Sequence, residues 1–137
     1  MSAADEPFVE NWTTGDKWEQ IAGFSRATRI GDLIAVSGTT ANGLDGDGEQ
    51  LGDTYAQTLN ALDRALAVVG ALGGSVATVL RTRVMLAPGA DWEAASRAHA
   101  ERLGERGPAN SMYYVHALIG DGYLVEIEMD AMREVRS

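Results

Sequence analysis

Toward its C-terminal end the chain reads Leu124-Val125-Glu126-Ile127-Glu128-Met129-Asp130-Ala131, so three acids alternate with apolar residues. On a β-strand this alternation puts Glu126, Glu128 and Asp130 on one face, with neighbouring carboxylates ~7 Å apart at a rise of ~3.4 Å per residue. A row of like charges raises the pKa of any member that is partly buried, and such a carboxylate suits the work of a general base. The same row also reads as a solvated strand face whose charges block aggregation. Spacing alone leaves both readings open.

Other chemistries are excluded by the residues themselves. There is no cysteine, which removes disulfides, thiolate metal sites and a cysteine nucleophile. Lys17, the only lysine, lies in a polar segment and makes a poor Schiff-base residue. His99 and His116 fall on different elements with no metal-ligand spacing around them, so each reads as a packed or surface side chain, and no metal is expected. The stretch Gly46-Asp47-Gly48-Glu49-Gln50-Leu51-Gly52 invites comparison with a dinucleotide fingerprint, but its third glycine is misplaced and its acids would repel a pyrophosphate. It fails as a calcium loop too, because the sixth position from Asp45 is Gln50, and it reads as a surface loop. No Gly-x-Ser-x-Gly elbow or Gly-Lys-Ser/Thr loop occurs, and no cofactor is expected.

The elements that must position these residues follow from periodicity. Residues 1–20 read as an extended N-terminal segment carrying Phe8, Trp12 and Trp18, and residues 21–137 as a single domain. Strand-like content runs from Ile21 to Ile30 and from Leu33 to Thr39 about a Gly31-Asp32 turn. Ala41 to Asp53 is a loop. Asp53 caps a helix whose apolar face is Tyr55, Leu59, Leu62, Leu66, Val69 and Leu72, and Gly73-Gly74 stops it. A strand follows with Leu80, Thr82, Val84 and Leu86 on one face, then a second helix capped by Asp91. Strands over Ser111–Leu118 and Tyr123–Met132 close the chain. The order ββαβαββ implies an α+β two-layer sandwich with both helices on one face of the sheet. The other face is left for self-association to cover.

The chain has 137 residues, 45% of them hydrophobic and 23% charged, which is enough for one core. The net charge of -9, with no basic cluster, argues against nucleic acid as a partner. The N-terminus lacks the basic and apolar regions of a signal peptide, and the longest uncharged run, Ala65 to Leu80, is too short and glycine-rich to span a membrane. A cytoplasmic location is expected.

Taken in order, Phe24-Ser25-Arg26-Ala27, Ile30-Gly31-Asp32-Leu33-Ile34-Ala35-Val36-Ser37-Gly38, Thr54-Tyr55-Ala56-Gln57-Thr58, Pro108-Ala109-Asn110-Ser111 and Val125-Glu126-Ile127-Glu128 resemble the Rid family, also called the YjgF or reactive-intermediate-deaminase family. The resemblance implies a chorismate-mutase-like fold, with two helices on one face of a six-stranded mixed sheet. It implies a homotrimer with small-molecule pockets between subunits. It also implies hydrolysis of the C=N bond of imino or enamino compounds. Carried over by residue, Glu126 would act as general base or orient water. Ser37, Asn110 and Ser111 would donate hydrogen bonds, and Phe24 with Tyr113 or Tyr114 would form the wall.

One position departs from the family pattern. An arginine after Pro-Ala holds the substrate carboxylate in deaminating members, and here that position is Asn110, as in the divergent YjgH-like branches. The amide brings no charge, so the implied substrate is an imine, enamine or related reactive metabolite other than the usual 2-imino acids. Arg26 and Arg29 are candidates to replace the charge, against an ordinary reading as solvated strand cations. The alternative function is a non-catalytic metabolite-binding or interaction trimer. Endoribonuclease activity, long attached to relatives of the family, is opposed by the acidic charge.

Overall fold

Gly31 adopts φ +59°, and with Asp32 it forms a two-residue turn that closes the hairpin between Ile30 and Leu33. In this computed structural model, residues 8–42, 44 and 52–134 are described, and the Gly46–Leu51 part of the glycine-acid loop lies outside them. The hairpin strands are β2 (Ala27–Ile30) and β3 (Leu33–Thr39). Val9–Trp12 forms β1, which pairs antiparallel with β2 and supplies a sixth strand from the N-terminal segment. Then come β4 (Val79–Leu86), β5 (Ala109–Tyr114) and β6 (Val125–Met132), giving the sheet order β1-β2-β3-β6-β4-β5. Among the described strands β4 and β5 run parallel and the other pairs are antiparallel.

Among the described residues there are three α-helices, α1 (Lys17–Ala22), α2 (Thr54–Ala71) and α3 (Trp92–Leu103). The short α1 was not expected, and it displaces the predicted start of the first strand from Ile21 to Ala27. Its cause is local: Asp16 accepts from the Glu19 backbone N–H at 2.9 Å, the Glu19 carboxylate reaches back to Asp16, and Gly23 ends the helix in the left-handed region. Asp53 caps α2 and Asp91 caps α3, as the sequence indicates. Gly73, with φ +96°, follows the end of α2.

The face of α2 that reaches deepest differs from the one predicted. Gln57, Thr58, Ala61, Leu62, Ala65 and Val69 are the buried residues, while Leu59 and Leu66 lie only partly covered. The polar members are inside because they tie elements together. Gln57 donates to the Gly122 carbonyl at 3.0 Å and accepts from the Leu124 N–H at 2.9 Å, clamping the loop that leads into β6. The Thr54 hydroxyl accepts from the Asp91 N–H at 3.0 Å, tying α2 to the start of α3. These helices pack with Val36, Val84, Leu86, Val125, Ile127 and Met129 in one core.

Two bulges adjust the sheet. In β4, Val79 pairs with Ala131 and Arg81 with Asp130, so Leu80 is an extra residue. Val79 takes the core position, and Leu80 is 44% exposed instead of buried as its alternation suggested. In β3 the register with β6 shifts between Val36 and Thr39, which places Ser37 and Gly38 in the irregular stretch. The sheet face away from α2 and α3 carries a shallow apolar groove lined by Ile30, Leu33, Ala35, Leu80 and Ala109. The C-terminal strands are shorter than expected, ending at Tyr114 and starting at Val125.

The Gln57 clamp yields a measurable consequence. Gln57→Ala leaves the Gly122 carbonyl and Leu124 N–H unpaired, and urea unfolding should show a loss of about 1–3 kcal/mol. An unchanged unfolding midpoint would remove the clamp from the account.

Candidate functional site

Because Val125, Ile127, Met129 and Ala131 are fully buried, the pleat turns Glu126, Glu128 and Asp130 away from the core together. The three acids do not share one environment. Arg83 lies 3.3 Å from Asp130 and 4.0 Å from Glu128 on the open face. Glu126 instead borders a cavity of about 460 Å³, with Phe24, Arg26, Gly38, Arg64 and Tyr123 among its walls and Trp18 and Ile21 of α1 at its rim. Burial raises its pKa above the ordinary 4.5, the charge of Glu128 adds to this, and Arg26 opposes it. Among the described residues no hydrogen-bond donor reaches its carboxylate.

The β3 irregularity makes room for that carboxylate. A Cβ built on Gly38 would stand 3.0 Å from Glu126 Cδ and closer still to its Oε1, so only glycine leaves the space. Arg26 braces the same segment, its Nη1 donating to the Gly38 carbonyl at 3.0 Å. Its guanidinium also sits 5.2 Å from the centre of the Phe24 ring. Arg26 is therefore packed rather than solvated. So is Arg29, which donates to the Gly31 carbonyl at 2.6 Å and covers the Phe8 ring at 4.3 Å.

Of the residues singled out from the sequence, Phe24 and Glu126 share this cavity. Ser37 lies next to it, with its hydroxyl donated to the Ser25 carbonyl at 2.6 Å, and faces a separate hollow beside Phe24 and Ala35. Asn110 stands elsewhere, in a cleft between β5 and α3 with Ser96, His99 and Met112. Its amide donates to the Thr82 hydroxyl at 2.9 Å, and that hydroxyl contacts His99 Nε2 at 2.8 Å. Burial lowers the pKa of His99, which keeps the ring neutral at pH 7. Tyr114 is on the same side, donating to the Ala90 carbonyl at 2.6 Å. The pleat turns Ser111 and Tyr113 to the opposite face, where Tyr113 pairs with Met85 and Met85 with Glu126. Within one chain, then, Asn110 does not meet Glu126.

Sequence reasoning missed Gly38 as the residue that admits the carboxylate, and it missed Arg64. The signal for Arg64 was its place seven residues beyond Gln57 and three beyond Ala61, on the stripe that α2 turns inward. Among the described residues no group of three or more His, Asp or Glu side chains is arranged to hold a metal.

Comparison with known proteins decides the family. Residues 14–133 match the family described as Endoribonuclease L-PSP. The chain belongs to this family. It is the Rid or YjgF family that the motifs resemble. The crystal structure of Rv2704 from Mycobacterium tuberculosis, described as a member of the YjgF/YER057c/UK114 family, is 39% identical with a TM-score of 0.80, covering 91% of this chain and 99% of that one. A protein from Streptomyces coelicolor, SCO2049, is 38% identical over 128 residues, 91% of this chain and 92% of its own length. The 3-aminoacrylate deaminase RutC of Acinetobacter baylyi is 29% identical over 107 residues, 78% of this chain and 84% of the relative. The Rid-type α+β fold and six-stranded mixed sheet agree with the structure.

The glycine at this site can be tested directly. In Gly38→Ala the added methyl meets the flexible end of Glu126, so the protein should fold and a crystal structure should show that carboxylate displaced from the cavity. An undisturbed Glu126 in that variant would contradict the packing described.

Proposed function

We propose that the chain hydrolyses the C=N bond of a small imine, enamine or related reactive metabolite, with Glu126 as the base. The observation that carries this reading is a half-buried carboxylate of raised pKa, with no hydrogen-bond donor on it among the described residues, at the wall of a ligand-sized cavity. In the reaction, water adds to the carbon of the C=N bond while Glu126 takes its proton. That proton passes to nitrogen to give a carbinolamine, an enamine first tautomerising to its imine; the carbinolamine hydroxyl then gives up its proton, which reaches the amine as the C–N bond breaks, so that ammonia and a carbonyl product leave. Phe24 and Tyr123 supply the apolar wall. The deaminase activity named for RutC supports the reaction class. Asn110 lacks the charge that would hold a 2-imino acid from β5, so the substrate is not that usual class.

The assembly belongs to the same proposal: a cytoplasmic homotrimer, with a small-molecule substrate bound between subunits. The apolar groove on the open sheet face and the outer edge of β5, which pairs with no strand among the described residues, support it. A neighbouring copy would bring one face of its β5 to Glu126, either Ser111 with Tyr113 or Asn110 with Tyr114, since the pleat sets the two pairs on opposite sides. Light scattering should give three times 14.6 kDa. One observation favours the second reading, a metabolite-binding trimer without turnover: the Asn110 amide already has Thr82 as its partner.

Ammonia release from a panel of imines and enamines separates the two. On the catalytic reading Glu126→Gln lowers kcat/KM by about 10²–10⁴. The base must be ionised, so the rate falls as pH drops through a value above 4.5, and Glu128→Gln moves that limb to lower pH by removing a like charge. Saturable binding with no turnover, or a rate indifferent to Glu126→Gln, would favour the alternative.

A further inference from the structure

Thr82 is fully buried on β4, and its hydroxyl lies between two other polar side chains. The Asn110 amide nitrogen donates to it at 2.9 Å, and His99 Nε2 lies 2.8 Å away on the other side. A hydroxyl has one proton to give. Having accepted from Asn110, Thr82 must donate to His99, so Nε2 is the bare nitrogen of a neutral ring whose proton sits on Nδ1. Burial keeps that ring neutral. The hydrogen bonds therefore run one way, from Asn110 to Thr82 to His99, and the reverse direction would require the carboxamide to be rotated.

This direction decides what Asn110 shows to a ligand. The nitrogen and oxygen of a carboxamide point apart, so with Nδ2 turned inward Oδ1 is left on the outer side, where Asn110 is exposed. Among the described residues no donor reaches that oxygen. Asn110 borders two adjoining hollows of about 210 and 320 Å³ between β5 and α3, which also share Ser96 and Met112. Among the described residues no acid, lysine or arginine lines either hollow. The cations of the surrounding elements are employed elsewhere. Arg97 covers the Tyr55 ring, Arg102 pairs with Asp63, Arg106 donates to the Ala77 carbonyl, Arg83 pairs with Asp130, and Arg81 borders the groove on the opposite sheet face.

We infer that the cleft between β5 and α3 binds an uncharged carboxamide, whose N–H donates to Asn110 Oδ1, and that Thr82 and His99 are positioning residues that aim this oxygen outward. A carboxylate placed here would meet a lone pair, with no cation to balance its charge, whereas a carboxamide supplies the missing donor. Its carbonyl has a donor too. The Ser96 hydroxyl contacts only the weak acceptor Met112 Sδ, at 3.5 Å, and gains by exchanging it for an oxygen. Trp92 and Met112 flank the space for a flat ring. Asn110 thus accepts a hydrogen bond from the ligand, where the sequence reading had it donate one. The inference stands on the cleft alone, and it rests on the proposed reaction only where this ligand is also called the substrate.

The test uses the full chain at neutral pH and three probes of one shape: benzamide, benzoate and N,N-dimethylbenzamide. Nitrogen-15 NMR should show His99 with its proton on Nδ1, and titration should show benzamide bound about tenfold more tightly than either of the others, which offer no N–H. Thr82→Val keeps the shape but removes the relay, so the preference for benzamide should vanish, and Thr82→Ser should restore it. The tautomer and the probe comparison need no variant and survive a failure of Thr82→Val to fold. A proton on His99 Nε2, no binding of benzamide, benzoate bound equally or better, or a preference that persists in Thr82→Val would overturn the inference. Ammonia release separates this from the reaction proposed above. Glu126-dependent turnover with no preference for benzamide sinks the Asn110 subsite alone, and the preference without turnover sinks the catalytic reading alone.

Discussion

Four side chains of β6, Val125, Ile127, Met129 and Ala131, are withdrawn wholly from solvent between α2 and the neighbouring strands. A central strand buried so completely on one face cannot slip by one residue, because every apolar side chain would then change sides with an acid. The register of β6 is therefore fixed by the core, and with it the direction in which Glu126 points. Gln57 adds a second restraint by holding the Gly122–Leu124 approach to the strand. The carboxylate is aimed by packing several residues away from anything that touches it, which is how a rigid element positions a reactive group.

What distinguishes Glu126 from the two acids below it is the neighbouring strand. Glu128 and Asp130 share Arg83, whereas Glu126 lies against the Gly38 backbone where β3 loses its regular pairing. The same bulge that interrupts pairing opens the space the carboxylate needs. This has a cost to the fold. An acid whose pKa is raised on folding weakens stability once pH exceeds the folded value, and the penalty is relieved as pH falls through that value. A perturbed carboxylate at the wall of a cavity fits the role of base proposed for it.

Much of this was legible in the sequence. The β2–β3 turn was carried by Gly31-Asp32, α2 and α3 by their aspartate caps, and the acidic face of β6 by simple alternation. What escaped were features with no periodic signature. Leu80 looked like a core residue because a bulge leaves no trace in an alternating pattern, and α1 was hidden in a polar stretch whose Asp16 and Glu19 are a capping pair. The candidate site was only partly readable: Glu126 and Phe24 meet in the cavity, while Arg64 comes from an element whose inward stripe is built from Gln57, Thr58 and alanines in place of the expected leucines. Asn110 was legible as a substitution, but its tie to Thr82 and His99 depends on tertiary placement that spacing does not encode.

The central claim is that Glu126 is a desolvated carboxylate held beside a like charge, and its titration measures that directly. Carbon-detected NMR on the full chain, following the side-chain carboxyl of Glu126 against pH, should give a midpoint above the ordinary 4.5 of a glutamate. A midpoint at or below that value would mean the carboxylate is solvated or paired, and would contradict the account.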